Sequence, residues 1–94
     1  MNVLFEALAH PTRREILAML KHGSASAGDI AARFDVSKPT MSGHFAKLKD
    51  AGLIHADKDG TSIFYSLNLS ALEEVLLGFM GTMGISPQEK DLNQ

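Results

Sequence analysis

The chain has 94 residues, 9 Lys and Arg against 11 Asp and Glu for a formal net charge of −2, a hydrophobic fraction of 45% and no cysteine. That length makes one domain, the missing cysteine excludes disulfides and thiolate metal centres, and the acidic balance speaks against the uniformly basic surface common among nucleic-acid binders. A chain this short buries only roughly 60–65% of its unfolded surface, so so much apolar sequence points to an interface between copies.

The charge is unevenly placed. Residues 1–66 carry eight Lys or Arg and seven Asp or Glu, a balance of +1, and residues 67–94 carry one and four, a balance of −3. A locally basic face is therefore compatible with an acidic whole, with few phosphate contacts and weak non-specific affinity. No basic segment followed by a long apolar run opens the chain, so no signal peptide is expected. The longest nearly apolar stretch, Val75 to Met80, falls far short of the ~20 residues of a membrane span. The expected location is the cytoplasm, without membrane insertion.

Asn2 to Ala9 reads as a first helix that is apolar nearly all round, with Glu6 its one charge, and such a helix needs partners on every side. Pro11 opens a second helix, where its missing N–H costs nothing. His10 takes the N-cap position, Ile16, Leu17 and Leu20 form the core face, and Gly23 ends the helix. Arg13 and Arg14 lie in the first turn, against the helix dipole. They read as ion-paired, phosphate-bound or solvated, and solvated charges are the favoured reading.

Residues 26–51 organise the rest. One helix is expected from about Ala27 to Phe34 and a second from about Lys38 to Ala51. Ser26 stands three residues before Asp29, and Ser37 can accept from the backbone of Thr40, which are N-terminal cap signals. Asp35-Val36-Ser37 leaves room only for a sharp corner, so the stretch is a helix-turn-helix whose second helix is shaped for a DNA major groove. Met41, Phe45 and Leu48 follow i, i+4, i+7 and face the core. Pro39, Thr40, Ser42, Gly43, Ala46 and Lys47 point outward. Between residues 36 and 49 stand Lys38, Lys47 and Lys49 and no acid. Gly43 costs the helix ~1 kcal/mol against Ala; clearance for DNA is the functional reason, a neutral exposed glycine the plain one.

Gly52 closes this helix as a C-terminal cap. Leu53–Lys58 and Thr61–Leu67 are β-rich runs around Asp59-Gly60, a hairpin signal because glycine accepts positive φ. A hairpin directly after such a helix is a wing. Ser70 is expected to cap a last helix, with Glu73 at capping-box spacing. Leu72, Val75, Leu76, Phe79, Met80 and Met83 make one apolar stripe along it, and Leu4, Phe5 and Leu8 make its counterpart in the first helix. The two are expected to meet each other and their copies in a homodimer. Residues 1–84 then form the domain, and 85–94, polar and containing Pro87, a mobile tail.

The order helix, helix, helix-turn-helix, wing, helix resembles the ArsR/SmtB family of dimeric bacterial repressors. Four stretches carry the likeness: Leu8-Ala9-His10-Pro11-Thr12-Arg13-Arg14-Glu15-Ile16-Leu17; Ile30-Ala31 with Phe34 and Val36-Ser37-Lys38-Pro39; Met41 to Leu48 running into Ala51-Gly52-Leu53-Ile54; and Gly60 with Phe64-Tyr65-Ser66-Leu67. Within the family the chain looks most like the compact Sdp-type autorepressors that lack metal-binding cysteines. The resemblance implies a mainly α fold with a small β-hairpin, five helices plus a wing, and dimerisation through the first and last helices. It implies operator reading by Ser37, Lys38, Thr40, Ser42, Gly43 and His44. Lys38, Lys47 and Arg13 are the expected phosphate contacts, and Lys58, the wing's one cation, is a further expected DNA contact.

Departures from the family pattern matter too. Residues 24–30 read Ser-Ala-Ser-Ala-Gly-Asp-Ile and the last helix has no His, so both family types of metal site are expected to be missing and no cofactor is expected. Asp57-Lys58-Asp59 gives the wing a charge of −1, which speaks against its electrostatic insertion into a minor groove. His10, His22, His44 and His55 form no His-x3-His pair and read as capping, core-edge or surface residues. His44, at the border of the core and outer faces, is also a candidate donor to a phosphate or base. No nucleophile elbow, phosphate loop or catalytic cysteine marks an enzyme. The function expected is a repressor binding a near-palindromic DNA operator as a homodimer, with a protein that relieves repression as an open partner. Two alternatives stay open: a winged helix used for protein contact, and a repressor released by a ligand or metal held by Glu73, Glu74, Asp91 or His residues.

Overall fold

The computed structural model describes residues 2–85. Along them run α1 (Asn2–Leu8), α2 (Pro11–Leu20), β1 (Ala25–Ser26), α3 (Ala27–Ala31), α4 (Lys38–Asp50), β2 (Ile54–Asp59), β3 (Ser62–Leu67) and α5 (Leu69–Thr82). The expected tail, apart from an exposed Ile85, lies outside the described residues, as does Asp91.

Ile16 of α2, Ile30 of α3, Leu48 of α4 and Leu53 at the α4–β2 junction are fully buried and form the centre of the core. Met41 and Phe45 join them, as the spacing predicts, so the helix-turn-helix is welded to α2 along one face of α4. Helix α3 is shorter than the predicted Ala27–Phe34. Its chain tightens after Ala31 into i→i−3 bonds, Arg33 N to Ile30 O and Phe34 N to Ala31 O, the 3₁₀ geometry common at helix ends.

The α4 exit is a Schellman motif: Gly52 N donates to Lys49 O at 2.9 Å and Leu53 N to Leu48 O at 3.0 Å. Gly52 has φ +76°, the left-handed conformation that glycine adopts without strain. At the hairpin, Asp59 pairs with Ser62, so Gly60-Thr61 rather than Asp59-Gly60 is the two-residue loop. Gly60 supplies its one positive φ, +66°, the sign pattern of a type II′ turn.

Two further features depart from the sequence reading. The wing is the larger part of a three-stranded antiparallel sheet in the order β1-β3-β2, because Ala25 and Ser26 pair with Tyr65 and Phe64. Ser26 then caps α3, its Oγ accepting from Asp29 N at 3.0 Å, so strand and helix meet on one residue. The last helix starts earlier than predicted. Its cap is Asn68 and not Ser70: Asn68 Oδ1 accepts from Ala71 N at 3.3 Å while Nδ2 donates to Gly52 O at 2.9 Å. Asn68 N also donates to Leu53 O. One side chain thus caps α5 and ties it to the α4 exit.

The cap thus moves from the expected Ser70 to Asn68. Asn68→Ala is expected to cost about 1–2 kcal/mol in urea unfolding, one cap plus one further hydrogen bond. Ser70→Ala should stay within about 0.5 kcal/mol, as exposed substitutions do.

Candidate nucleic-acid interface

Helix α4 starts at a sharp corner held by Ser37. Its Oγ accepts from Thr40 N at 3.3 Å and donates to Thr40 Oγ1 at 2.9 Å. Pro39 occupies the first turn, where no intrahelical donor is needed. The buried stripe Met41, His44, Phe45 and Leu48 leaves Lys38, Pro39, Thr40, Ser42, Gly43, Ala46, Lys47 and Lys49 exposed. Of the predicted reading residues, Ser37, Lys38, Thr40, Ser42 and Gly43 stand together on this surface. A Cβ on Gly43 would meet nothing within 4 Å, so no intramolecular packing asks for glycine there.

Three predicted contacts change role. Arg13 is neither solvated nor at the surface; it is 7% exposed. Its Nε donates to Ala7 O at 2.8 Å, its Nη2 to Glu6 O at 2.9 Å and its Nη1 to His44 Nδ1 at 3.1 Å. Arg14 adds a bond to Leu8 O at 2.7 Å. Both arginines face the dipole of α2 unfavourably, yet they sit on the carbonyl end of α1, where a cation is favoured.

His44 is the second correction, being 6% exposed and therefore off the outer face. Arginine can only donate, so His44 Nδ1 accepts and the ring is neutral with its proton on Nε2. Burial pushes its pKa below the ordinary histidine value, and His10 and Arg13 add to the effect. The rings of His10 and His44 lie 4.5 Å apart between centroids, a spatial pair that sequence spacing does not announce. His10 keeps its predicted cap, Nδ1 accepting from Thr12 N at 3.1 Å. Lys47 is the third: its Nζ lies 3.6 Å from a carboxylate oxygen of Glu6, so it stands beside an acid on the α1 flank.

The wing is locked to α4 by Phe45 stacked on Tyr65, with centroids 4.4 Å apart and planes 26° from parallel. Among the described residues, no three His, Cys, Asp or Glu come together as a metal site and no helix is long and apolar enough to cross a membrane.

This is the geometry of a winged helix-turn-helix. Residues 8–56 match the helix-turn-helix domain family. The chain is 47% identical over 74 residues to the transcriptional repressor SdpR of Bacillus subtilis, covering 79% of this chain and 82% of the relative. It is 33% identical to the arsenical resistance operon repressor of Staphylococcus aureus, over 81% and 73% of the two chains. The crystal structure of an ArsR family transcriptional regulator superposes with a TM-score of 0.81 at 30% identity, covering 88% and 91% of the two chains. The chain belongs to the ArsR/SmtB family of DNA-binding transcriptional repressors.

ArsR-family membership makes it a regulator and not an enzyme, and α4 is the second helix of the helix-turn-helix. The terminal helices carry the apolar surface. Of eleven exposed large hydrophobics among the described residues, eight are on α1, on α5 or directly after it: Val3, Phe5, Leu69, Leu76, Leu77, Phe79, Met83 and Ile85. Phe5 meets Phe79 edge-on at 5.6 Å. Leu4, Leu8 and Leu72 are half-buried against the core and Met80 is half-buried. Val75, predicted for the interface, is buried within the single chain. Val3, Leu69 and Leu77 extend the patch beyond the predicted stripe.

The neutral, buried His44 carries a pH signature. The unfolded chain takes up a proton near pH 6.5 that folded His44 resists to lower pH. In that interval the unfolded state binds more protons, so stability is full above about pH 6.5 and falls below it. His44→Gln keeps an acceptor for Arg13 and cannot titrate. Its urea midpoint should fall less than the parent's between about pH 7.5 and about pH 5.5; equal falls would place the proton elsewhere.

Proposed function

We propose that the chain is a homodimeric, metal-independent cytoplasmic repressor that binds a near-palindromic operator through two copies of α4. The observation that carries this is the exposed N-terminal half of α4, Lys38 to Ala46, which is small, polar and free of acid. Small side chains let a helix approach base edges closely. Thr40 and Ser42 are the base-reading candidates and Lys38 a phosphate contact, with Gly43 providing clearance. Two-fold symmetry would set the two helices about one DNA turn apart, ~34 Å.

Dimerisation is supported by the apolar surface of α1 and α5. Helix α5 touches the rest of the protomer only lightly yet carries Leu76, Leu77, Phe79 and Met83 exposed. An apolar patch of this kind is typical of an interface. Likeness to the transcriptional repressor SdpR supports repression; that the repressed gene is the chain's own and that a protein relieves repression are part of the proposal.

Fluorescence anisotropy against the DNA upstream of its own gene and a scrambled duplex, with and without Zn²⁺, tests the reading. Tight, selective, zinc-insensitive binding is expected. Equal weak binding to both duplexes would favour a protein-contact module instead. Gly43→Ala should stabilise the fold by about 0.5–1 kcal/mol while weakening operator binding, so the two measurements move in opposite directions. Phe79→Asp should halve the sedimenting mass; an unchanged mass would refute the proposed interface.

A further inference from the structure

The lysines of α4 occupy different flanks. Lys47 faces α1 beside Glu6. Lys49 lies on the opposite edge, where Ser42, Ala46 and Lys49 form an i, i+4, i+7 stripe toward the wing. These residues, with Asp50, Ile63 and Tyr65, line a cleft of about 310 Å³ between α4 and the sheet. Among the described residues no carboxylate lies within 4.0 Å of the Lys49 ammonium.

The wing's charges are also sorted by side. Lys58 pairs with Ile63, and Asp57 and Asp59 pair with Phe64 and Ser62. Directly opposed residues of an antiparallel pair point to the same face, and neighbours along a strand alternate. Ile63 and Tyr65 face the cleft, so Lys58 shares their side of the sheet, while Asp57 and Asp59 take the other. The wing has a charge of −1 in sequence, but it turns a cation toward α4.

A helix seated in a major groove has a phosphate strand along each flank. We infer that the strand on the wing side of α4 is gripped across this cleft by Lys49 and Lys58. Asp50, at the edge of the cleft, opposes the phosphate and holds non-specific affinity down. The inference rests on the DNA-binding reading of α4 and goes beyond it in assigning the sequence-independent grip. On the other flank Lys47 and Glu6 offset each other.

Binding to a scrambled duplex, followed by anisotropy between roughly 50 and 200 mM salt, isolates this grip because phosphate contacts ignore sequence. Lys49→Ala and Lys58→Ala should each lower the slope of log K against log salt by about 0.9 per bound protomer. Lys47→Ala should lower it by clearly less, Lys49→Arg should keep it, and Asp50→Asn should raise affinity for scrambled and specific duplexes by the same factor. All four side chains are exposed, and circular dichroism checks that each variant is folded. A steep parental slope that survives both Lys49→Ala and Lys58→Ala, or that falls with Lys47→Ala instead, overturns the grip and leaves DNA binding intact. A parent that binds no duplex at any salt overturns the DNA reading together with the grip.

Discussion

A buried guanidinium holds the reading helix in place. Arg13 meets two carbonyls at the end of α1 and the ring of His44 in α4, so three helices converge on one side chain. A buried cation without partners is costly, and each of these contacts removes part of that cost. Hydrogen bonds from a charged donor contribute about 1.5–3 kcal/mol. The unfavourable position at the start of α2 costs less, about 0.3–1 kcal/mol, so the α1 and α4 contacts decide where the arginine goes. His44 must be neutral for this arrangement, since a protonated ring could not accept.

Around that junction single side-chain contacts join one element to the next. Asn68 ties the start of α5 to the α4 exit, Ser26 joins the sheet to α3, and Phe45 on Tyr65 joins α4 to the wing. The apolar core fixes how the helices stack. These contacts fix where α4 points relative to the hairpin.

Much of this was legible in the sequence because it is local. The periodicity of Met41, Phe45 and Leu48, the caps at Ser26, Ser37 and His10, and the glycine closing α4 each depend on neighbours within a few residues. What escaped depends on distance. Nothing near Arg13 announces a partner thirty-one residues away at His44. A two-residue strand at Ala25–Ser26 has too little pattern to read. Asn68 and Ser70 are both good caps, and the choice between them is made by a carbonyl at Gly52. A sum of charge along the wing also does not show that Lys58 takes the opposite face of the sheet from Asp57 and Asp59.

Helix α1 has seven residues, too few to persist alone in water. Its order is borrowed at one end from Arg13 and Arg14, and along its side from whatever covers Phe5. Free energy gained by covering that side is felt at the carbonyls that Arg13 grips, and through them at His44. Such linkage runs both ways with equal strength: packing against α1 favours the set position of α4, and a ligand that captures α4 in that position favours the packing. In the proposed dimer, assembly and recognition would be two faces of one equilibrium, and dilution would weaken both together.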